Sequence, residues 1–173
     1  MNIPELYLDI DQHIRNDLQP SVYLNRIYQN PLFSQYPFDM LYKLKQAEQS
    51  ALHHPEGNVW NHTLLVADEA AKVKSKSKNP DAFMWAALLH DIGKPPTTRI
   101  RNGKITSYDH DKVGAKMCCD FLREFTQDDS FIHTVANLIR YHMQILFVVK
   151  NLPFADIQGM RQNTDSREVA LLG

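Results

Sequence analysis

The sequence predicts an all-α helical bundle carrying one small β-hairpin. Apolar residues recur at spacings of three and four through most of the chain, the pattern of helices with one buried face. A single stretch, TRIRNGKITSYDH from Thr98 to His110, alternates instead around Asn102-Gly103, which marks a two-residue hairpin turn near residues 98–107. No internal repeat, low-complexity tract or linker interrupts the 173 residues. The whole chain is therefore expected to form one domain.

The elements follow in order. Ile3, Leu6, Ile10 and Ile14 share a helical face, as do Val22, Leu24 and Ile27, and then Met40, Leu41 and Leu44. Residues 1–50 should thus be short helices forming an extension packed on a core at 53–173. The Pro and Asn clusters at 29–37 and 151–153 read as turns between helices. In HHPEGNVWNHT the Pro-Glu-Gly stretch breaks the chain and Asn58 can cap a helix whose stripe is Val59, His62, Val66, Ala70 and Val73. After a polar KSKSKNP turn, Asp81 can cap a helix with Phe83, Ala86, Ala87 and His90 on one face, stopped by Gly93, Pro95 and Pro96. Beyond the hairpin, a helix from Asp109 or Asp111 carries His110, Val113, Met117 and Phe121 at helical spacing. In DSFIHTVANLIRYHMQILF, His142 is in register with Ile132, Val135, Ile139 and Leu146, whereas His133 aligns with the polar Asn137 and Arg140. A last helix of about two turns follows an Asp165-to-Glu168 capping box.

Composition excludes several classes. Nineteen Lys and Arg against 20 acids leave a net charge of −1, so no global basic field draws the chain onto nucleic acid or a membrane. The first residues lack the basic and apolar regions of a signal peptide, and no apolar run reaches membrane-spanning length. A cytoplasmic protein is expected. Cys118 and Cys119 are adjacent and lie in a helical pattern, which suits reduced packing residues rather than a disulfide. With eight histidines, a metal site would draw on imidazole and carboxylate rather than thiolate.

The helix containing LLHDIGKPP ends in adjacent His90 and Asp91, either as a polar helix terminus or as a pair of metal ligands. His62, His90, His110 and His142 all fall on inner helical faces. Each alone is explained as a core imidazole bonded to a backbone carbonyl. Burying four is costly unless they share a partner, and a divalent cation satisfies neutral imidazole nitrogen best.

The ordered set His62, His90-Asp91 in LLHDIGKP, His110 in YDHDKVGAKM and His142 in LIRYHM resembles the HD-domain metal-dependent phosphohydrolase superfamily. It is most similar to the HD module of bacterial CCA-adding enzymes and of small HDIG-type proteins. The likeness spans roughly residues 53–150 and includes the HPEGNVWNHT lead-in. It implies an HD-domain helical bundle in which His62, His90 and Asp91 hold one ion, and His110, His142 and a bridging Asp91 hold a second. One or two divalent ions, of iron, manganese, nickel, cobalt, zinc or magnesium, are expected as cofactors. The family's late aspartate would fall where the chain ends, so the last core helix is expected to be cut short. Asp165 nearby reads as a cap.

The implied chemistry is hydrolysis of a phosphomonoester or phosphodiester, a nucleotide or a 2′,3′-cyclic phosphate, by metal-activated hydroxide. Asp91 and Lys94 are the candidate catalytic residues. Lys94, Arg99 and Arg101 are candidate phosphate contacts, set against the alternative of solvated charge. The expected partner is a small phosphorylated substrate, a nucleotide or an RNA end. No GxSxG, HExxH or GxxxxGK[ST] motif offers another nucleophile or phosphate loop. His53, His54 and Glu56 precede the His62 helix, where they form either a plain loop or the rim of a pocket. Asp111 is expected to stabilise its helix start, and Arg140 to lie on the surface. The competing readings are a non-catalytic HD module binding a nucleotide or protein, and the hydrolytic portion of a longer nucleic-acid-processing protein.

Overall fold

The computed structural model describes residues 1–49, 51, 54–143, 159–160, 163 and 166–172. Its helices are α1 (Ile3–Asn16), α2 (Pro20–Ile27), α3 (Asp39–Tyr42), α4 (Val59–Val73), α5 (Pro80–Leu89), α6 (Lys94–Thr97), α7 (His110–Arg123), α8 (Asp129–Tyr141) and α9 (Ser166–Leu172). Two short strands, β1 (Arg99–Arg101) and β2 (Lys104–Thr106), pair antiparallel with Ile100 opposite Ile105. Asn102 and Gly103 turn between them at φ of 52° and 75°. Both central residues at positive φ fit the twist of a two-residue hairpin. The all-α fold with a hairpin at 98–107 is thus the observed one.

The bundle is organised around α5. Every side chain from Ala82 to Leu89 is buried, and α1, α4, α8 and α9 all pack against this helix. A helix apolar on all sides must be enclosed on all sides. The single buried face expected from Phe83, Ala86 and Ala87 is therefore too narrow. Asn79 rather than Asp81 caps α5, its side chain accepting from the Ala82 N–H. Pro80 takes the first turn, where its missing N–H costs nothing. Asp81 instead pairs with Arg15 across the surface.

Two further expectations shift in phase. On α2 the buried residues are Pro20, Tyr23, Leu24 and Ile27, and Val22 is 65% exposed. On α4, capped by Asn58, the stripe runs through Val59, Trp60, Thr63, Ala67 and Ala70. His62 lies on its flank. Val66 and Val73, expected on the stripe, are only partly buried against the core, while Trp60 and Ala67 are fully enclosed.

Gly93 does not stop a helix in the left-handed conformation. Its φ is −75° and it leads directly into α6, with the prolines in the first turn. What requires glycine there is approach: an added Cβ would stand 2.1 Å from the His110 carbonyl oxygen and 2.6 Å from the Gly114 nitrogen. Gly114 on α7 is the reciprocal contact, packed on Gly93 and Ile139. Two glycines thus let the turn after α5 press onto the start of α7.

At the far end, Glu168 of α9 accepts from Ser77 Oγ at 2.6 Å and from the Lys78 N–H at 2.8 Å. Its carboxylate is thereby bound to the turn before α5. Asp165, Leu146 and the 151–153 turn lie outside the described residues. Cys118 is buried and Cys119 half-buried, both as free thiols.

Gly93→Ala should therefore destabilise the protein by about 3 kcal/mol, because both clashing atoms belong to backbone that cannot rotate away. Gly103→Ala, with nothing within 4 Å of the added Cβ, should cost only about 1 kcal/mol for its positive φ. Urea denaturation of the two variants checks the ranking, and equal losses would contradict it.

Candidate metal centre

The site forms where α5 ends. His90 caps that helix at 5% exposure and Asp91 follows at 2%. Around Asp91 the fold brings His62 from α4, His110 from the first turn of α7 and His142 from the end of α8. The carboxylate divides them. Its Oδ2 lies 3.0 Å from His90 Nε2 and 3.7 Å from His62 Nε2. Its Oδ1 lies 3.4 Å from His110 Nε2 and 3.7 Å from His142 Nε2. Lys94 Nζ, one turn on, is 3.4 Å from Oδ2.

The outer nitrogen of each ring fixes its tautomer. His90 Nδ1 faces the Ala87 carbonyl at 2.7 Å, His110 Nδ1 the Ser107 carbonyl at 2.9 Å and His142 Nδ1 the Ile139 carbonyl at 2.5 Å. His62 Nδ1 faces Glu56 Oε1 at 2.8 Å. A carbonyl or carboxylate oxygen only accepts, so all four Nδ1 atoms carry the proton and all four Nε2 atoms turn a lone pair inward.

This convergence is unfavourable without a cation. His110 Nε2 and His142 Nε2 stand 3.3 Å apart, a repulsive contact for two lone pairs. Asp91 Oδ2 is buried with no hydrogen-bond partner, which normally costs about 1–3 kcal/mol or more. Burial, opposed by the Asp91 charge, holds the His62 and His142 imidazoles below their ordinary 6.5, so protonation is a poor remedy. A divalent ion satisfies every one of these atoms. Two sets of ligand atoms are close enough together to hold one: His62, His90 and Asp91, and separately Asp91, His110 and His142. Mixed imidazole and carboxylate donors suit iron, manganese, nickel, cobalt or zinc. Burial pushes the Asp91 carboxyl up, but His90, Lys94, His110 and His142 together hold it well below 3.8, ready as a ligand.

Several sequence expectations change here. His62 is half-buried, its side chain 24% exposed. Arg140 is not a surface residue free of the site: its Nη1 donates to Asp111 Oδ2 at 3.2 Å. Asp111 is buried and serves this pair, joining α7 to α8, rather than capping with its side chain. Arg99 donates to the Pro96 and Thr98 carbonyls, and Arg101 stacks over Tyr108. Both are exposed on β1 and neither bonds to the Asp91 cluster among the described residues. A cavity of about 780 Å³ lies beside them, with Met40, Ala47, Ile92, Pro95 and Met117 in its lining. Its lining includes Ile92 and Pro95, the residues that follow Asp91 and Lys94. His133 is exposed, as its phase predicts, and His53 lies outside the described residues. Sequence reasoning missed Gln49, whose Oε1 accepts from Lys94 Nζ at 3.1 Å. A lone glutamine after an irregular stretch carries no periodic signal.

Residues 59–151 match the family model of the HD domain. The chain belongs to the HD domain family. Among curated relatives, this HD protein is 45% identical over 62 residues to the Multifunctional CCA protein of Actinobacillus pleuropneumoniae, covering 36% of the chain and 14% of the relative. It is 32% identical over 90 residues to the A-adding tRNA nucleotidyltransferase of Deinococcus radiodurans, covering 49% and 19%. With the Multifunctional CCA protein of Methylococcus capsulatus it shares 29% identity over 109 residues, covering 61% and 23%. The HD chain thus spans less than a quarter of the length of these relatives. No helix among the described residues is long and apolar enough to cross a membrane.

The two depressed histidines give the metal-free protein an acid dependence. In the unfolded chain these imidazoles take up protons near 6.5, in the folded chain only at lower pH, so the unfolded state binds more protons in between. Stability is fully present above 6.5 and is lost as pH falls below it. Asp91 stays ionised there and adds no slope. The Tm of metal-free protein should hold from about pH 8 to 7 and decline toward about pH 5, as scanning calorimetry would register. A Tm unchanged across that interval would contradict the burial of neutral imidazoles.

Proposed function

We propose that this HD module is a metal-dependent phosphohydrolase that cleaves a phosphomonoester or phosphodiester of a nucleotide or RNA end, 2′,3′-cyclic phosphates included. The observation that carries the reading is the buried Asp91 carboxylate, with one oxygen orphaned, inside a ring of four inward-facing imidazole nitrogens. His62, His90 and Asp91 would hold one ion, and Asp91, His110 and His142 a second. Bound divalent ions supply Lewis acidity toward a phosphoryl oxygen and lower the pKa of water.

The chain's own groups do the rest. Asp91 ties both ligand sets together and keeps its charge in a dry setting. Lys94, only 11% exposed and aimed at the same carboxylate, presents an ammonium where phosphoryl oxygens would arrive and stabilises their growing charge. Gln49, from the N-terminal extension, holds that ammonium in place. We take residues 1–50 as part of one module with the core for this reason. Arg99 and Arg101 extend positive charge along the hairpin for the rest of a polyanionic substrate.

A second reading, in which the module is the hydrolytic portion of a longer RNA-processing protein, draws on the printed names of the relatives and on the small share of their length that is matched. It changes the substrate's size, not the chemistry.

Turnover of bis(p-nitrophenyl) phosphate, p-nitrophenyl phosphate and a 2′,3′-cyclic nucleotide, with manganese, nickel, cobalt or magnesium, tests the proposal. Activity should require the ion and vanish in His90→Ala. Lys94→Ala should keep its metal content and lose about 100-fold in kcat. A metal-loaded protein inert toward all three substrates would leave the non-catalytic module as the better account.

A further inference from the structure

Three of the four inward-facing rings are oriented by main chain: His90, His110 and His142 each meet the carbonyl three residues earlier. They can do so because they stand at helix ends, where carbonyl and ring geometry are free of the helical ladder. His62 lies within the first turns of α4, its own N–H bonded to Asn58 O. Its Nδ1 turns to a side chain instead, Glu56 Oε1 at 2.8 Å. The same oxygen accepts from His54 Nδ1 at 3.2 Å, and the His54 ring stands edge-on to His62 with centroids 5.0 Å apart. Burial pushes the Glu56 carboxyl up, but its own backbone N–H and the two imidazoles outweigh this and hold it below its ordinary value. The loop is itself tied down. Asn61 Nδ2 donates to Glu56 O at 3.0 Å, and Gln49 Nε2 donates to the Gly57 carbonyl at 3.3 Å while its Oε1 holds Lys94.

We propose that Glu56 is the positioning residue of His62, keeping its proton on Nδ1 and its Nε2 turned toward Asp91. The ion shared by His62, His90 and Asp91 then depends on a loop carboxylate, whereas the ion shared by Asp91, His110 and His142 does not. The inference rests on the reading of the cluster as a metal centre. His54, Glu56 and His62 are themselves close enough to hold an ion. His62, however, has one lone pair to give, and a proton on Nδ1 closes the outer side. A carboxylate behind a metal-bound imidazole fixes the ring and raises its basicity, and its loss weakens binding about 10–100-fold.

Manganese titration calorimetry on the full chain tests this, with His62→Ala and His142→Ala marking which binding step belongs to which ion. Glu56→Ala should weaken the step that His62→Ala removes, about 10–100-fold, and leave the step that His142→Ala removes unchanged. Glu56→Gln keeps an accepting oxygen and should restore most of the affinity. Long-range proton–nitrogen spectra of the metal-free protein should show His62 protonated at Nδ1 in wild type and Glu56→Gln, and redistributed in Glu56→Ala. Wild-type affinity for both ions in Glu56→Ala, or equal weakening of both steps, overturns the role of Glu56 while the metal centre stands. A wild type that binds no manganese overturns both.

Discussion

One carboxylate organises this protein's site. Asp91 is almost fully enclosed, carries its charge in a place where charge is costly, and is approached by four imidazoles that each offer a lone pair rather than a proton. Lys94 offsets part of that charge, yet Oδ2 still has no hydrogen bond. Residues from α4, α7 and the ends of α5 and α8 meet around this group, so the packing of the bundle sets which donors the centre offers.

The helices solve the geometric side of that constraint. Because α5 is apolar all round and enclosed by its neighbours, its end is fixed, and a side chain placed there is held more firmly than one on a loop. Gly93 and Gly114 then remove the bulk that would keep α7 away, bringing His110 within reach. The Arg140–Asp111 pair joins α8 to α7, the helices whose ends bring in His142 and His110. His62 comes from the flank of α4, and its ring is hydrogen-bonded to Glu56 in the loop before that helix.

Much of this was legible in the sequence. Helical phase alone separated His142 from His133, and the Asn102-Gly103 pair located the hairpin. The order of His62, His90-Asp91, His110 and His142 pointed to the HD family that the family model matches. What escaped reading did so for physical reasons. Phase counting places a residue on a face but not at a depth, so it put His62 in the core when Trp60 and the small Ala67 and Ala70 set the rotation of α4. Gly93 looked like a helix stop because close approach between distant backbones has no local signature. Gln49 acts through contacts formed by irregular chain, where no period exists to reveal them, and for the same reason Glu56 read only as loop or pocket rim. Arg140 looked solvated because its partner, Asp111, is 29 residues away in sequence.

The central claim, that Asp91 and its four imidazoles form a divalent metal centre, is tested most directly by anomalous diffraction. Crystals grown with manganese and measured on both sides of its absorption edge should show one or two anomalous peaks within about 3 Å of Asp91. One is expected facing His62 and His90, the other facing His110 and His142. A manganese-grown crystal with these side chains ordered and no anomalous peak among them would contradict the account.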